Sequence, residues 1–344
     1  MTALLLAILA ADLPARGDLP ESLSALDADV AELAGVTGLT AASLAVDAGD
    51  GEVLTRCWGW ANRNRSRPVT PKSTFRLGSN TKPFTSAAVV KLVKTTDLGY
   101  DTPVLPMLLE DLKIRPRGGV ADDRWEKITV DHLLKHEGGW DRDETFDPLY
   151  KLDLVRKATR PRPRLEGRHV VQFMLTQPLQ FDPGSRDCYS NFGYVTLGRV
   201  VEAATGKDHE DAVRELIAGP LGIEDLRVSN KLPNRRHGLE VDYPKDDRRE
   251  MVPRDASGGM ACSPTSLCKF MNAYWISGRP RKGLSRGSYY HYGSLPGTTM
   301  CWMVQRPDGV NWALAVNARR DDKYLEDLEA MRGRVNNAID AWRK

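Results

Sequence analysis

Hydrophobic and polar residues alternate along residues 42–47 and 52–60, and Gly49-Asp50-Gly51 between the two runs predicts a β-hairpin. Past Ser79 the pattern changes to an apolar run that reads as a helix to about Thr95. Between residues 101 and about 245, helical spacing recurs over 130–136, 170–176, 195–204 and 210–217, broken by proline-rich loops. Ser263-Pro264 reads as an N-cap and first residue of another helix. Runs at 300–306 and 310–317 flank Pro307-Asp308-Gly309 and predict a second hairpin, and residues 324–342 close the chain as an amphipathic helix. Strands at both ends with helices between them imply an α/β chain, of the α+β kind. One antiparallel sheet is built from both chain ends and flanked by helices, with an inserted, mainly helical subdomain. The expected division is 18–100 with 246–344 as the α/β part and 101–245 as the helical part of a single unit.

Composition narrows the class without naming an activity. A chain of 344 residues with 41% hydrophobic content can bury a large core. Its 49 basic and 46 acidic residues nearly cancel, which gives no ground for a nucleic-acid partner. The clusters Arg160-Pro161-Arg162-Pro163-Arg164 and Arg281-Lys282 lie in Pro/Gly-rich surroundings and read as solvated loops. Residues 3–11 form an apolar run too short to span a bilayer, so no stable membrane insertion is expected. Residues 1–17 are a possible leader with small residues at its end but no basic start. The expectation is a periplasmic or secreted protein, the alternative being a first helix of a cytoplasmic one. Five cysteines cannot all pair and fit no metal spacing, so buried free thiols are expected for most of them.

The candidate chemistry begins at Ser79-Asn80-Thr81-Lys82. Serine three residues before lysine puts both side chains on one helix face, one turn apart. At a first turn, free N–H groups favour charge developing on the serine, and a partly desolvated lysine can serve as its base. A second copy, Ser266-Leu267-Cys268-Lys269, lies inside the helix start after Ser263 and reads as an ordinary helical turn. Two further segments give the first copy company: Tyr189-Ser190-Asn191 after the turn Phe181-Asp182-Pro183-Gly184, and His291-Tyr292-Gly293-Ser294 ahead of an apolar strand.

The order Ser-x-x-Lys, Tyr-x-Asn, His-x-Gly resembles the active-site motifs of the serine β-lactamase and penicillin-binding-protein superfamily. The branch it resembles most holds class C β-lactamases, D-Ala-D-Ala carboxypeptidases, D-aminopeptidases and esterases with a β-lactamase fold. Leu133-Leu134-Lys135-His136-Glu137-Gly138-Gly139 and Ser257-Gly258-Gly259-Met260-Ala261-Cys262-Ser263 add two more similar segments, and the resemblance runs roughly from Leu39 to Arg319.

The resemblance implies the same fold and a cleft between its two parts. It also implies Ser79 as nucleophile, Lys82 and Tyr189 sharing the base role, and Asn191, His291, Gly293 and Ser294 holding the substrate. The oxyanion would lie on the N–H groups of Ser79 and Ser294, and no cofactor or metal is needed. Lys82 and His291 are expected to supply the cationic field that a tyrosinate requires. Tyr292 stands where relatives that grip a carboxylate carry Thr or Ser, and Arg319 is either a replacement anion site or a salt-bridge residue.

The implied function is a serine hydrolase, either D,D-carboxypeptidase/peptidase-like or a β-lactamase-related hydrolase of an amide or ester. Its partner is a small-molecule or peptide substrate: an acyl ester, a D-amino-acid peptide or a β-lactam. The alternatives are a carboxylesterase of the same fold and a penicillin- or peptidoglycan-binding sensor without turnover. From another class, His132 and His136 at i, i+4 with Glu137, Asp141 and Asp143 offer a zinc reading, weakened by the lack of a His-Glu-x-x-His pattern.

Overall fold

A computed structural model describes residues 13–17, 20–49, 52–229, 239–244 and 249–344. The apolar run at 3–11, the hairpin residues Asp50 and Gly51, and the division expected at residue 245 lie outside them. Along the chain the strands are β1 (Ala15–Arg16), β2 (Ala41–Asp47), β3 (Val53–Gly59), β4 (Phe75–Arg76), β5 (Arg227–Val228), β6 (Met260–Cys262), β7 (Tyr289–Leu295), β8 (Thr299–Gln305) and β9 (Asn311–Val316). Six of them form an antiparallel sheet in the order β1-β3-β2-β9-β8-β7, so both expected hairpins meet where β2 pairs with β9. The register sets Leu44 against Leu314 and Val46 against Trp312.

Because side chains alternate across a strand, each register position chooses a face. Leu44, Val46, Trp58, Trp302, Trp312 and Leu314 turn outward and are covered by the helices Ala25–Thr37 and Tyr324–Trp342. The opposite face is lined by smaller residues, Ala41, Ala45, Ala313 and Ala315, on which the helix Pro264–Ala273 packs. The apolar cluster on that face continues without a break into the helices between residues 101 and 229. The edge-to-face pair Trp140–Phe192, with ring centroids 4.6 Å apart, sits within it. None of the described helices is long and apolar enough to cross a membrane.

The helix expected from Ser79 starts later. Gly78–Thr81 forms a 3₁₀ turn, and the α-helix runs over Lys82–Thr95. Pro83 explains the change: it has no N–H to bond the Ser79 carbonyl, and the Lys82 N–H takes that carbonyl in a tighter turn. The expected helix over 210–217 is a short α-helix, His209–Val213, followed by a π-turn over Arg214–Ala218. Several elements go beyond the sequence reading, among them a helix before β2 and a second sheet. The Ala25–Thr37 helix buries Leu26, Val30 and Leu33, and the small sheet β4-β6-β5 joins segments far apart in the chain.

Trp302 ties the sheet to the last helix, since its buried ring donates Nε1–H to the Leu328 carbonyl at 2.8 Å. Trp302→Ala is expected to cost about 3–5 kcal/mol of stability. Urea unfolding followed by far-UV circular dichroism checks this, and a loss below about 1 kcal/mol would contradict the packing described.

Candidate active site

The site forms where the edge strand β7 is pressed onto the turn that carries Ser79. Gly293 makes this approach possible, because a Cβ built there would lie 1.6 Å from the Leu77 carbonyl oxygen. Gly78 answers it from the other side: its φ is +53°, and an added Cβ would come within 2.6 Å of the Ser294 nitrogen. The backbone around Ser294 is thereby set beside the N-terminal turn of the helix that follows Ser79.

Ser79, Lys82, Tyr189 and Asn191 come together. Ser79 Oγ is 2.7 Å from the Tyr189 hydroxyl and 3.3 Å from Lys82 Nζ. Lys82 is almost completely buried and donates to Asn191 Oδ1 and to the Ser257 carbonyl, both at 2.8 Å. Burial lowers its pKa to about 7, working with Arg142 and Arg254 and opposed by Asp147. A neutral amine has two N–H donors and one lone pair. The two acceptors take the donors, and the lone pair is left for the Ser79 hydroxyl.

Tyr189 departs from the tyrosinate expectation. Burial raises its pKa, with the Ser79 hydrogen bond and Arg142 acting the other way, so it holds its proton at neutral pH. His291 supplies no positive field, because burial and the Lys82 and His136 charges push its pKa down to about 3. Its Nδ1 instead meets Asn80 Oδ1 at 2.8 Å. The Asn191 amide, expected to face the substrate, donates its Nδ2–H to Asp147 Oδ2 at 2.7 Å.

Asp147, the Ser257 carbonyl and Arg142 were not picked out in the sequence. Asp147-Pro148 resembles any turn, and the carbonyl leaves no trace in residue type. His136 belongs to the same shell: its ring lies 4.7 Å from that of Tyr189 and its Nδ1 accepts the Ser190 N–H at 3.1 Å. The zinc reading is not supported by placement, since His132 Nδ1 accepts instead from the Thr129 N–H in a capping box.

The third segment splits across the strand. His291 and Gly293 turn toward the site, whereas Tyr292 turns to the outer face and donates to Glu329 of the last helix at 3.0 Å. Tyr292, which stands where relatives that grip a carboxylate carry Thr or Ser, is therefore turned away from the site. Ser294 Oγ bonds outward to the Thr299 carbonyl and accepts from Arg319, which also pairs with Asp321 at 2.7 Å. Arg319 is thus a nearly buried salt-bridge residue that also reaches Ser294. The second Ser-x-x-Lys copy is pulled apart, with Ser266 on Asp225 and Lys269 on the Gly222 carbonyl. All five cysteines are free, four buried and Cys188 half-buried.

Comparison with known proteins shows which family the chain resembles. Esterase EstB of Burkholderia gladioli is 33% identical over 225 residues, covering 59% of this chain and 55% of its own. Penicillin-binding protein 4* of Bacillus subtilis (strain 168) is 28% identical over 196 residues, covering 55% of this chain and 38% of its own. The chain thus spans about half or less of these curated relatives. A solved D-amino acid amidase from Ochrobactrum anthropi SV3, complexed with L-phenylalanine amide, shares the fold with a TM-score of 0.71 at 21% identity. That alignment covers 94% of this chain and 99% of the amidase. The family model described as Beta-lactamase matches residues 26–318, and the chain belongs to that family.

Proposed function

We propose that the protein is a serine hydrolase that cleaves an ester or amide through an acyl-enzyme on Ser79. The observation that carries this reading is the Lys82 amine, whose donors are taken by Asn191 and the Ser257 carbonyl while Ser79 Oγ lies 3.3 Å away. In the first half-reaction Ser79 Oγ attacks the acyl carbon as its proton passes to Lys82 Nζ. The N–H groups of Ser79 and Ser294 receive the oxyanion. Collapse breaks the bond to the leaving group. Tyr189 gives that group its proton and is reprotonated from Lys82, so the Ser79 proton ends on Tyr189 and the net change is one proton carried off with the leaving group. In the second half-reaction water gives a proton to Lys82 and attacks the ester carbonyl, and the proton returns to Ser79 as the acid departs. No cofactor enters. His291 and Gly293 are read as the wall along which substrate lies. The site is taken to lie where the α/β part (18–100 and 246–344) meets the helical part (101–245).

The names of the relatives, an esterase and penicillin-binding proteins, support a small acyl substrate and leave peptide, ester and β-lactam as members of one chemical class. The apolar run at 3–11 supports export to the periplasm or medium.

Three outcomes are expected. Ser79→Ala abolishes acylation seen by intact-protein mass and lowers kcat/KM by about 10³-fold or more. Unchanged turnover would end the reading. Lys82 must be neutral to accept a proton, and its neutral fraction grows as pH rises. The kcat/KM profile should therefore climb to a plateau with a midpoint near 7. A profile flat from pH 5 to 9 would remove Lys82 as the base. In Asp147→Asn the anion that raises the Lys82 pKa is gone, so the acid limb moves to lower pH. The loosened Asn191 also lowers the plateau by about ten- to a hundredfold. A limb that moves upward contradicts the assigned role of Asp147.

A further inference from the structure

The face of the Lys82–Thr95 helix that carries the amine has a second polar group one turn on. Thr85 lies three residues after Lys82 and is completely buried. Its hydroxyl donates to the Ala256 carbonyl at 2.8 Å, and Lys82 Nζ donates to the Ser257 carbonyl at the same distance. Adjacent carbonyls of the turn over 255–258 are thus held by two side chains of one helix face. Thr81, in the 3₁₀ turn before them, accepts the Met260 N–H at 3.2 Å where β6 begins.

The Thr85 hydroxyl has one direction open to it. Its single hydrogen goes to the carbonyl, which only accepts, so the oxygen receives a hydrogen from His209 Nε2 at 3.0 Å. Asp255 closes the turn from the other side: its carboxylate takes the Ala256 N–H and pairs with buried Arg199, each at 2.7 Å. Arg199 belongs to the helix that starts at Asn191, the other acceptor of the Lys82 amine. Ala256 and His209 both press on that helix at Gly198, where an added Cβ would lie 2.4 Å from Ala256 Cβ and 3.3 Å from the His209 ring.

The neutral Lys82 amine needs both acceptors. Were the Ser257 carbonyl to turn away, one N–H would lose its partner and swing to Ser79 Oγ, and the lone pair would no longer face the Ser79 proton. A displacement of about 1 Å in such a contact is enough to cost about 10²-fold in rate.

We infer that Thr85 is a positioning residue for this reaction. Through the Ala256 carbonyl it sets the turn that offers the Ser257 carbonyl to Lys82, and His209 aims its hydroxyl. The inference rests on the hydrolase reading above.

The test measures kcat and KM with p-nitrophenyl butyrate and nitrocefin for the wild-type protein, Thr85→Val, Thr85→Ala and Thr85→Ser. Valine matches threonine in shape without the hydroxyl, and serine keeps the hydroxyl. Lys82 serves in both half-reactions, so kcat should fall about tenfold or more in the valine and alanine variants whichever step limits turnover, with KM within about threefold. In Thr85→Ser kcat should stay within about threefold of wild type. Val335→Ala removes packing on the far side of the sheet; it should lower the melting temperature and leave kcat unchanged, which separates lost stability from lost positioning. An unchanged kcat in Thr85→Val, a loss carried by KM, an equal loss in Thr85→Ser or in Val335→Ala, or hydroxyl-free variants that do not fold each overturn the inference. Those results leave the hydrolase reading standing as long as Ser79→Ala still abolishes turnover. If the wild-type protein neither turns over nor becomes acylated by either probe, the hydrolase reading fails and this inference with it.

Discussion

The burial of Lys82 is the constraint on which the site depends. An amine taken out of water is costly to leave charged and costly to leave unbonded. Asn191 and the Ser257 carbonyl meet the second cost, and the lowered pKa meets the first. Those two acceptors come from distant parts of the chain, so the amine holds the helix after Ser79, the start of the Asn191–Thr205 helix and the loop before β6 in one arrangement. In the proposed reaction the base beside the nucleophile is held in place by the groups that satisfy its hydrogen bonds, while burial lowers its pKa.

The sheet supplies the other half of the geometry. Closing the chain ends through β2 and β9 leaves β7 as an edge, and an edge strand has a row of backbone groups without a neighbouring strand. Here that row faces the Ser79 turn, with Gly293 and Gly78 removing the side chains that would hold the two apart. The same alternation that points His291 into the site sends Tyr292 out to Glu329. A residue that looks disruptive in the motif is therefore part of the packing between the sheet and the last helix.

The electrostatic pattern gives the titratable groups distinct states. His291 and His136 are neutral, Tyr189 is protonated, and Lys82 titrates near neutrality. In the proposed reaction base work falls to Lys82, and Tyr189 acts by donating a proton. Asp147 enters through both a hydrogen bond to Asn191 and its charge on Lys82, which couples the position of the amide to the basicity of the amine.

Local patterning in the sequence determined both hairpins, the helices after Ser79 and Pro264, and the last helix over Tyr324–Trp342. Period, caps and turn residues act within a few positions of one another. The three motifs were legible for a related reason, since each is a short run of residue types with its own chemistry. Only tertiary structure decided the rest. The 3₁₀ turn at Ser79 follows from Pro83, but β4, β5 and β6 exist only because distant segments are brought together. Asp147 and the Ser257 carbonyl matter because of where they stand, and a carbonyl is common to every residue. The protonation of Tyr189 and His291 is set by burial, which the full packing of the chain determines.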